Sequence, residues 1–535
     1  MDDIIHSIWL TLCSDIVTME WWEGLWLNES FATWSSWFAV NHFYPSWHIW
    51  QGEFVSAILQ TALALDSLPS SHPIEVPVET SDEIIEVFDP ISYQKGGSVL
   101  QMLASFLGQD IFLKGVAHYL KAHAFANTKT TDLWKALGDV SGKNVEDYMA
   151  VWTRNMGHPI ITVTEDAETN KLNIKQNRYL RSGKPNKEED EVIWPVFLAL
   201  QTETDTHNDL VLNTREAEIS LNNLNFYKLN HGHHGVYRVL YPPARLHKLI
   251  ESVKRRTLSL ADSTGLLYDS ISLSQSLHQS VADTFDLAKA LSRAANLYSW
   301  RAVMAWFTAL HATWVVAPKH LRDAIDAAQL SFSAQYAHKI DWDHWTNVDV
   351  IKGQFRALLF SAAGTAGDTT IIKIAKEKFA DFTAGDRDAI PADLRLPVFS
   401  IVIKHGGEAE YNAILSEFDH GARIAEQKGS AIAALGQARS PDLIARTIAL
   451  ALEPDRIPRI YVRTLLSGLN SHEAGISALL DTITNHFDDI EKRFKGGLGT
   501  FGIVLGGFCG GLCTYEHADR LEEFFEDRDT KHFQR

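Results

Sequence analysis

Apolar residues near the start of the chain recur with the period of an α-helix. Leu27, Phe31, Trp34 and Phe38 are spaced by four, three and four residues, which places them on one stripe of a helix. Glu29 falls on the opposite side, where the neighbouring positions carry small residues. We therefore expect a second helix to approach the face of Glu29 closely. The later stretch SVLQMLASFLGQDIFLKGVAHYLKAHAF has the same helical period.

After Gly157 the pattern changes to β-branched or alternating runs of strand length. These runs read HPIITVTED, KLNIKQNRYL, EVIWPVFLALQTET and GVYRVLYPP, and the polar stretch SGKPNKEED separates two of them as a loop. The pattern predicts a small β-sandwich domain over residues 158–243.

From residue 244 to residue 535 helical segments follow one another, and no further strand pattern interrupts them. The segment SPDLIARTIALAL shows how one begins, with Ser440 as the cap, Pro441 at the first helical position and Asp442 in the first turn. A long succession of helices favours an α-helical solenoid of the HEAT or armadillo type over a single bundle. The predicted fold class is therefore multidomain and mainly α, with one small β-sandwich.

The chain of 535 residues carries 67 acidic and 49 basic residues, a formal net charge of −18. This excess of negative charge disfavours binding to nucleic acid or anionic membranes, because long-range repulsion opposes it. No apolar run reaches the roughly 18 residues that a membrane span needs, and the start MDDIIHSIWL is acidic, unlike a signal peptide. The three cysteines are too few for a disulfide framework and fit a reducing compartment. We predict a cytoplasmic protein.

Tyr93 lies in FDPISYQKGGSVLQML, where a proline, a tyrosine and two glycines open a helix. This order places the phenol at a helix N-terminus beside exposed backbone amides, where it can donate a hydrogen bond to developing negative charge. The alternative is a turn tyrosine that only caps a packed helix. Glu29 likewise has two interpretations, a functional carboxylate or an ordinary surface or paired acid, and the pattern alone leaves both open.

The stretches IVTMEWWEGLWLNESFATW and DPISYQKGGSVLQML resemble the zinc aminopeptidases of the alanyl and puromycin-sensitive type, a gluzincin family. Further along, VWTRNMGHPIITV, GVYRVLYP and LSLADSTGLLYDSISL resemble the same family, so the resemblance extends from residue 15 to the end of the chain. It implies a partial thermolysin-like catalytic domain over residues 1–157, the β-sandwich over residues 158–243 and an α-helical C-terminal domain over residues 244–535.

The family hydrolyses the N-terminal residue from peptides with a zinc ion, which is bound by an H-E-x-x-H helix and a later glutamate. The resemblance implies that Glu29 is this third zinc ligand, that Tyr93 is the tyrosine that stabilises the transition state, and that peptides are the partners. Counting back from Glu29 puts His6 at the position of the first histidine. The same count puts Ser7 at the position of the general base and Leu10 at that of the second histidine.

These substitutions break the motif. A catalytic zinc ion takes three protein ligands and a water, and leucine has no donor atom. Serine is a poor base near neutral pH, and loss of general-base catalysis alone lowers a rate by about 10²–10⁴. We therefore expect Zn²⁺ to be bound weakly or not at all, and the enzyme to be inactive or severely impaired as this chain is written. His6 itself has the alternative of an ordinary surface histidine.

The family also places a large β-domain and a GAMEN loop, which binds the substrate amine, before its zinc helix, and this sequence shows neither. We expect an N-terminally truncated homologue. Eight of the 16 tryptophans fall within the first 50 residues, so we expect Trp9, Trp21, Trp22 and Trp26 to form an uncovered apolar surface that permits self-association. Two alternatives stay open: a non-catalytic helical scaffold that binds peptides or proteins, and a fragment of a complete, active aminopeptidase.

Overall fold

The computed structural model describes residues 16–80, 84, 88–342, 349–454, 456–494 and 500–528. This part of the chain is mostly helical and contains a few small sheets, which confirms the mainly α prediction. Its contacts group into two compact units, Met1–Val303 and Met304–Arg535. No helix within the described ranges combines the length and the apolar character needed to cross a lipid bilayer.

Helices dominate the amino-terminal part of the first unit. Within the described residues they are α1 Leu25–Phe43, α2 Leu59–Asp66, α3 Gly96–Leu107, α4 Gln109–Ala122, α5 Thr130–Ser141 and α6 Val145–Arg154. The sequence predicts one apolar stripe on α1, but α1 is buried on both of its faces. Glu29, Ala32 and Thr33 are buried together with Leu27 and Phe31. The small residues opposite the stripe therefore face protein, and α1 is a core helix.

The helical stretch that starts at Ser98 is two helices in the structure. Gly108 separates α3 from α4 and has a φ of 86°, which residues with a side chain rarely adopt. The helical period alone did not reveal this break, because both helices carry apolar residues with the same spacing.

The strands are short and fall into two groups. β1 Val17–Met19 runs parallel to β2 Ala126–Thr128. The others lie in the part of the chain where the sequence predicts strands: β3 Pro159–Asp166, β4 Lys171–Arg178, β5 Val196–Phe197, β6 Leu200–Thr202, β7 Thr206–His207, β8 Val211–Leu212, β9 Glu216–Ser220, β10 Tyr227–Lys228 and β11 Arg238–Leu240.

These later strands form a four-stranded sheet in the order β11-β3-β4-β9, a three-stranded sheet in the order β10-β6-β7, and the pair β5-β8. β3 pairs antiparallel with β4, and β11 joins β3 in parallel. Burial along β4 alternates, since Leu172, Ile174 and Gln176 are buried whereas Asn173 and Lys175 are exposed. This alternation is typical of a strand with one covered face. The grouping of the sheets into a sandwich stays a prediction.

Helices follow one another through the rest of the described chain, as the sequence predicts. They are α7 Pro243–Lys254, α8 Leu260–Gln275, α9 Val281–Leu291, α10 Leu297–Thr313, α11 Lys319–Ala337, α12 Val350–Thr365, α13 Thr369–Thr383, α14 Arg395–Lys404, α15 Glu408–Ser416, α16 Ala425–Leu435, α17 Pro441–Leu452, α18 Arg459–Ser467, α19 Glu473–Phe494, α20 Thr500–Cys509 and α21 Tyr515–Phe525. The predicted start of α17 is confirmed, because the Ser440 side chain accepts a hydrogen bond from the amide of Leu443 and Pro441 takes the first position.

In the second unit, α12 contacts α14, α14 contacts α16, α16 contacts α18, and α18 contacts α20. Their apolar side chains belong to one continuous core cluster, which includes Phe360, Phe399, Ile432, Leu465 and Val504. Neighbouring helices therefore share a core along the chain. A regular solenoid stays a prediction.

One expectation for the amino-terminal tryptophans is wrong. The sequence predicts Trp26 on an uncovered surface, but Trp26 is 1% exposed and stacks on Trp134 with ring centroids 5.7 Å apart. Its indole N–H donates to Thr130 Oγ1 at 3.2 Å, so α5 covers it. Trp21 is 56% exposed, as expected, and Trp9 lies outside the described residues. Self-association through this segment stays a prediction.

Candidate active site

The helix of Glu29 and the segment of Tyr93 meet at close range. Ser30 Oγ, on α1, donates a hydrogen bond to the carbonyl of Ser92 at 2.6 Å. A Cβ atom on Gly96 would lie 1.9 Å from Ser30 Oγ, and one on Gly97 would lie 3.3 Å from Thr33 Cγ2. Glycine is required at position 96 because a side chain there would collide with α1. The close approach predicted for the small-residue face of α1 is confirmed.

This approach brings the two candidate side chains into contact. Glu29 is buried, with 6% of its surface exposed, and Tyr93 is half-buried. The Tyr93 hydroxyl donates a hydrogen bond to the Glu29 carboxylate. Burial raises the pKa of Tyr93 well above its ordinary value of 10.0, and the negative charge and the hydrogen bond of Glu29 raise this pKa further. Tyr93 therefore stays protonated at neutral pH and acts as a hydrogen-bond donor.

Tyr93 lies inside a π-helical turn, Ile91–Lys95, that continues into α3. Such turns occur often at functional sites. The expectation of exposed backbone amides at this helix start is wrong, because the amides of Ile91 and Ser92 both donate to Asp89 Oδ1 at 3.0 Å. Asp89 therefore caps the turn, and the donor that Tyr93 offers is its hydroxyl group.

His72 holds Asp89 from the other side. Asp89 Oδ2 is 2.9 Å from His72 Nε2, and His72 Nδ1 is 2.8 Å from the carbonyl oxygen of Pro73. The hydrogen bond to Asp89 raises the pKa of His72 above its ordinary value of 6.5, although partial burial opposes this. The charged form of His72 therefore strengthens the cap of the turn that carries Tyr93.

A fully buried ion pair lies at the end of the same turn. Lys95 Nζ is 3.1 Å from Oδ1 and 3.0 Å from Oδ2 of Asp66. Burial by itself would raise the pKa of Asp66, but Lys95 and the amide of Gly157 hold it well below its ordinary value of 3.8. Sequence reasoning missed this pair. The available signal was a lysine in SYQKGG before an apolar helix, but its partner is 29 residues away in the chain.

The described residues do not supply a catalytic zinc site. No group of three or more His, Cys, Asp or Glu side chains among them is arranged to hold a metal ion. His6, Ser7 and Leu10 lie outside the described residues. A catalytic zinc ion takes three protein ligands, so Glu29 with His6 falls one short, and the residues present do not fit this ion. The roles of Glu29 and His6 as ligands and of Tyr93 as a catalytic residue stay predictions.

Comparison with known proteins decides the family. The Peptidase family M1 domain matches residues 2–152, and the ERAP1-like C-terminal domain matches residues 226–535. The chain belongs to the M1 family of peptidases. The resemblance to zinc aminopeptidases that the two long motifs indicate is therefore confirmed.

Aminopeptidases of several organisms align with nearly the whole of this M1-family chain. Aminopeptidase 2 of Candida albicans is 35% identical over 529 residues, which are 99% of this chain and 57% of that protein. The alanine/arginine aminopeptidase of Saccharomyces cerevisiae is 36% identical over 530 residues, 99% of this chain and 61% of that protein. Aminopeptidase M1 of Arabidopsis thaliana is 28% identical over 560 residues, 98% of this chain and 61% of that protein. The chain thus spans a little over half the length of these curated relatives.

Proposed function

We propose that this M1-family chain binds peptides at a site that retains Glu29 and Tyr93 but does not, by itself, hydrolyse them. The observation that carries the proposal is the pair Ser7 and Leu10, which stand where the family's general base and second zinc-binding histidine are expected. Without these two groups the chain lacks the means to activate a water molecule near neutral pH.

The contact between Tyr93 and Glu29 sets how strongly Tyr93 can bind a peptide. A phenol has one proton to donate, and Tyr93 donates it to the Glu29 carboxylate. A peptide carbonyl that takes the same hydrogen bond must therefore compete with a buried carboxylate. Glu29→Gln is expected to free the Tyr93 hydroxyl in part, because a neutral amide accepts a weaker hydrogen bond than a carboxylate does.

Zinc content and peptide hydrolysis test the absence of catalysis. After dialysis against metal-free buffer, we expect much less than one zinc ion per chain in elemental analysis. We also expect no hydrolysis of fluorogenic aminoacyl substrates above background. A complete M1 aminopeptidase treated in the same way is the positive control. One tightly bound zinc ion per chain, or a turnover that Glu29→Gln abolishes, would contradict the proposal.

Peptide affinity tests the binding role. Fluorescence titration with a labelled peptide compares the unmodified chain with Glu29→Gln and Tyr93→Phe. Loss of one neutral hydrogen bond costs about 0.5–1.5 kcal/mol, which is about 2–10-fold in affinity. We expect Tyr93→Phe to bind more weakly by this factor and Glu29→Gln to bind at least as tightly as the unmodified chain. Equal affinity in all three proteins would place the peptide elsewhere.

A second candidate is that these residues are part of a complete, active aminopeptidase. The relatives favour it, because 99% of this chain aligns with 57% of the Candida protein. Sequencing the messenger RNA and the genomic DNA upstream of Met1 separates the two candidates. An H-E-x-x-H motif and a GAMEN loop in the same reading frame would support the complete enzyme.

We also propose that the chain has three domains, with boundaries at residues 157 and 243, and that its location is cytoplasmic. The strands described between Pro159 and Leu240 support the middle domain. Limited proteolysis with mass spectrometry tests the division, and cuts are expected near both boundaries. One relative in Saccharomyces cerevisiae is named Aminopeptidase 2, mitochondrial, so cell fractionation is needed to test the location.

A further inference from the structure

We propose that Lys95 and Asp66 are positioning residues for Tyr93: their buried ion pair fixes the turn Ile91–Lys95 so that the Tyr93 hydroxyl reaches Glu29. The functional meaning of this arrangement rests on the proposed roles of Glu29 and Tyr93. The positioning itself does not depend on activity and can be measured without it.

The ion pair is shielded from solvent. The side chains of Lys95 and Asp66 are both 0% exposed, and Lys95 Nζ lies within 3.1 Å of both carboxylate oxygens. Removing one partner of a buried ion pair leaves an uncompensated charge in a low-dielectric interior, which is strongly unfavourable. Lys95 is therefore held firmly at the end of α2.

The same ammonium group also binds a third segment. Lys95 Nζ donates to the carbonyl oxygens of Asn155 at 3.2 Å and Gly157 at 3.4 Å. The amide of Gly157 donates in turn to Asp66 Oδ1 at 2.7 Å. Because these residues lie between α6 and β3, the pair fixes the turn of Tyr93 relative to both α2 and the segment that leads into β3.

The other polar contacts of the turn act nearer its beginning. Asp89 caps its first amides, and Ser30 donates to the carbonyl of Ser92. The carboxyl end of the turn continues into α3, which packs closely on α1 at Gly96. Lys95 supplies the charged contact at the carboxyl end, so the hydroxyl of Tyr93 is placed by restraints on both sides of it.

His158 lies beside the pair without replacing Lys95. Neither of its ring nitrogens has a hydrogen-bond partner among the described residues, and Nδ1 is 3.6 Å from Asp66 Oδ2, beyond hydrogen-bond distance. Burial lowers the pKa of His158 to about 4, so the ring is neutral at neutral pH. Lys95 is thus the cation in direct contact with Asp66.

The test places 3-fluorotyrosine at position 93 and follows its ¹⁹F resonance in the full-length chain. Glu29→Gln supplies the reference, because it weakens the acceptor of the Tyr93 hydroxyl. We expect Lys95→Met to move the resonance in the same direction, by at least half of the shift that Glu29→Gln causes. Lys95→Arg keeps the positive charge, so its resonance is expected to lie between those of Lys95→Met and the unmodified chain.

Lys228→Met is the matched control. Lys228 is 2% exposed and also pairs with a buried carboxylate, Asp262 Oδ1, at 2.8 Å, but it donates otherwise to the carbonyls of Leu229 and Asn230. We expect this control to leave the resonance unchanged. An unchanged resonance in Lys95→Met, or an equal shift in the control, would overturn the proposal.

Asp66→Asn replaces Lys95→Met if the latter does not fold, with the same expected shift, because it removes the charge and keeps the side-chain volume. All spectra are recorded with a metal chelator present. They then do not depend on zinc content or on hydrolysis, so failure of the proposed function and failure of this inference are separate results.

Discussion

Two buried lysine–aspartate pairs in the first unit have similar burial but different surroundings. In the pairs Lys95–Asp66 and Lys228–Asp262, no side chain is more than 2% exposed. The second pair organises the backbone: Lys228 donates to two carbonyls next to it in the chain, and Asp262 Oδ1 accepts from the amide of Gly232 at 2.9 Å.

The first pair also binds backbone groups, and a side-chain hydrogen bond between two residues outside the pair lies beside it. Glu29 is buried beside the turn of Lys95, and its carboxylate accepts from the hydroxyl of Tyr93. Buried groups with shifted pKa values are frequent at functional sites, but structural ion pairs shift pKa values as well. In the second region the side chains of Ser259 and His231 contact the paired Asp262 itself. In the first region the further hydrogen bond joins Tyr93 and Glu29, neither of which belongs to the ion pair.

Removal of either lysine is the largest expected effect, and it should be similar in the two regions. Lys95→Met and Lys228→Met each leave a buried carboxylate without its lysine, and Asp262 then still has the side chains of His231 and Ser259 as partners. We expect the free energy of unfolding to fall by about 3–5 kcal/mol in both variants, with Lys228→Met at the lower end of this range. Urea denaturation followed by circular dichroism measures this loss. A loss below about 1 kcal/mol, typical of exposed pairs, for Lys95→Met alone would show that the two pairs are not equivalent in stability.

Gly96→Ala is expected to have the next largest effect, and it acts on the Tyr93 region alone. The new methyl group meets Ser30 Oγ and disrupts its hydrogen bond to the carbonyl of Ser92. We expect a loss of about 1–3 kcal/mol in the free energy of unfolding. Gly97→Ala is the control in the same helix and should cost less, because its nearest neighbour would be 3.3 Å away. Equal losses would argue against a specific contact at Ser30.

Ser7→Glu combined with Leu10→His tests whether a zinc site can be completed around Glu29. The double variant adds a general base and a third ligand at the family spacing. We expect zinc affinity to rise at least about tenfold, since even removal of a group that only orients a ligand costs about 10–100-fold. Competition with a chromophoric chelator measures the affinity.

Leu10→Ala adds no ligand and is the control for this zinc experiment. Peptide hydrolysis is expected to stay weak in the double variant, because the two substitutions add no group that binds the substrate amine. If zinc affinity does not rise, then His6 and Glu29 are not arranged around position 10, and their assignment as ligands is wrong.

The pH dependence of the Asp89 cap is the smallest expected effect. The pair with Asp89 raises the pKa of His72 in the folded state. Its contribution to stability is therefore complete below the unfolded pKa of about 6.5 and is lost as the pH rises through the folded pKa. His72 is 33% exposed, so we expect its stabilisation, relative to His72→Gln, to shrink by less than about 1 kcal/mol over this range.

Denaturation at a series of pH values measures the contribution of His72. Asp89→Asn is the control, because it removes the charged partner and should abolish the difference between the histidine and glutamine forms. A stabilisation by His72 that grows as the pH rises would contradict the pairing.

Much of the secondary structure is predictable from local pattern. The runs HPIITVTED and KLNIKQNRYL contain strands β3 and β4, and α17 begins at the cap predicted for it, Ser440. Period and capping depend on neighbours within a few residues, so they can be recognised without coordinates. Gly108 shows the limit of this reasoning, because its backbone conformation breaks a helical period that the side chains continue.

The sequence by itself determined the family and its two candidate residues. Glu29 and Tyr93 stand in two long motifs, and residue identity in such motifs needs no coordinates. The sequence also determined that Leu10 offers no metal ligand, since the lack of a donor atom is a property of the side chain itself. Neither conclusion depends on how the chain packs.

Only the tertiary structure decided which distant side chains become partners. Lys95 pairs with Asp66, 29 residues away, and Trp26 donates to Thr130, 104 residues away. The contact of Tyr93 with Glu29 likewise joins a turn to a separate helix. Local pattern cannot specify such partners, because the space that a buried side chain fills is defined by the packing of several elements at once.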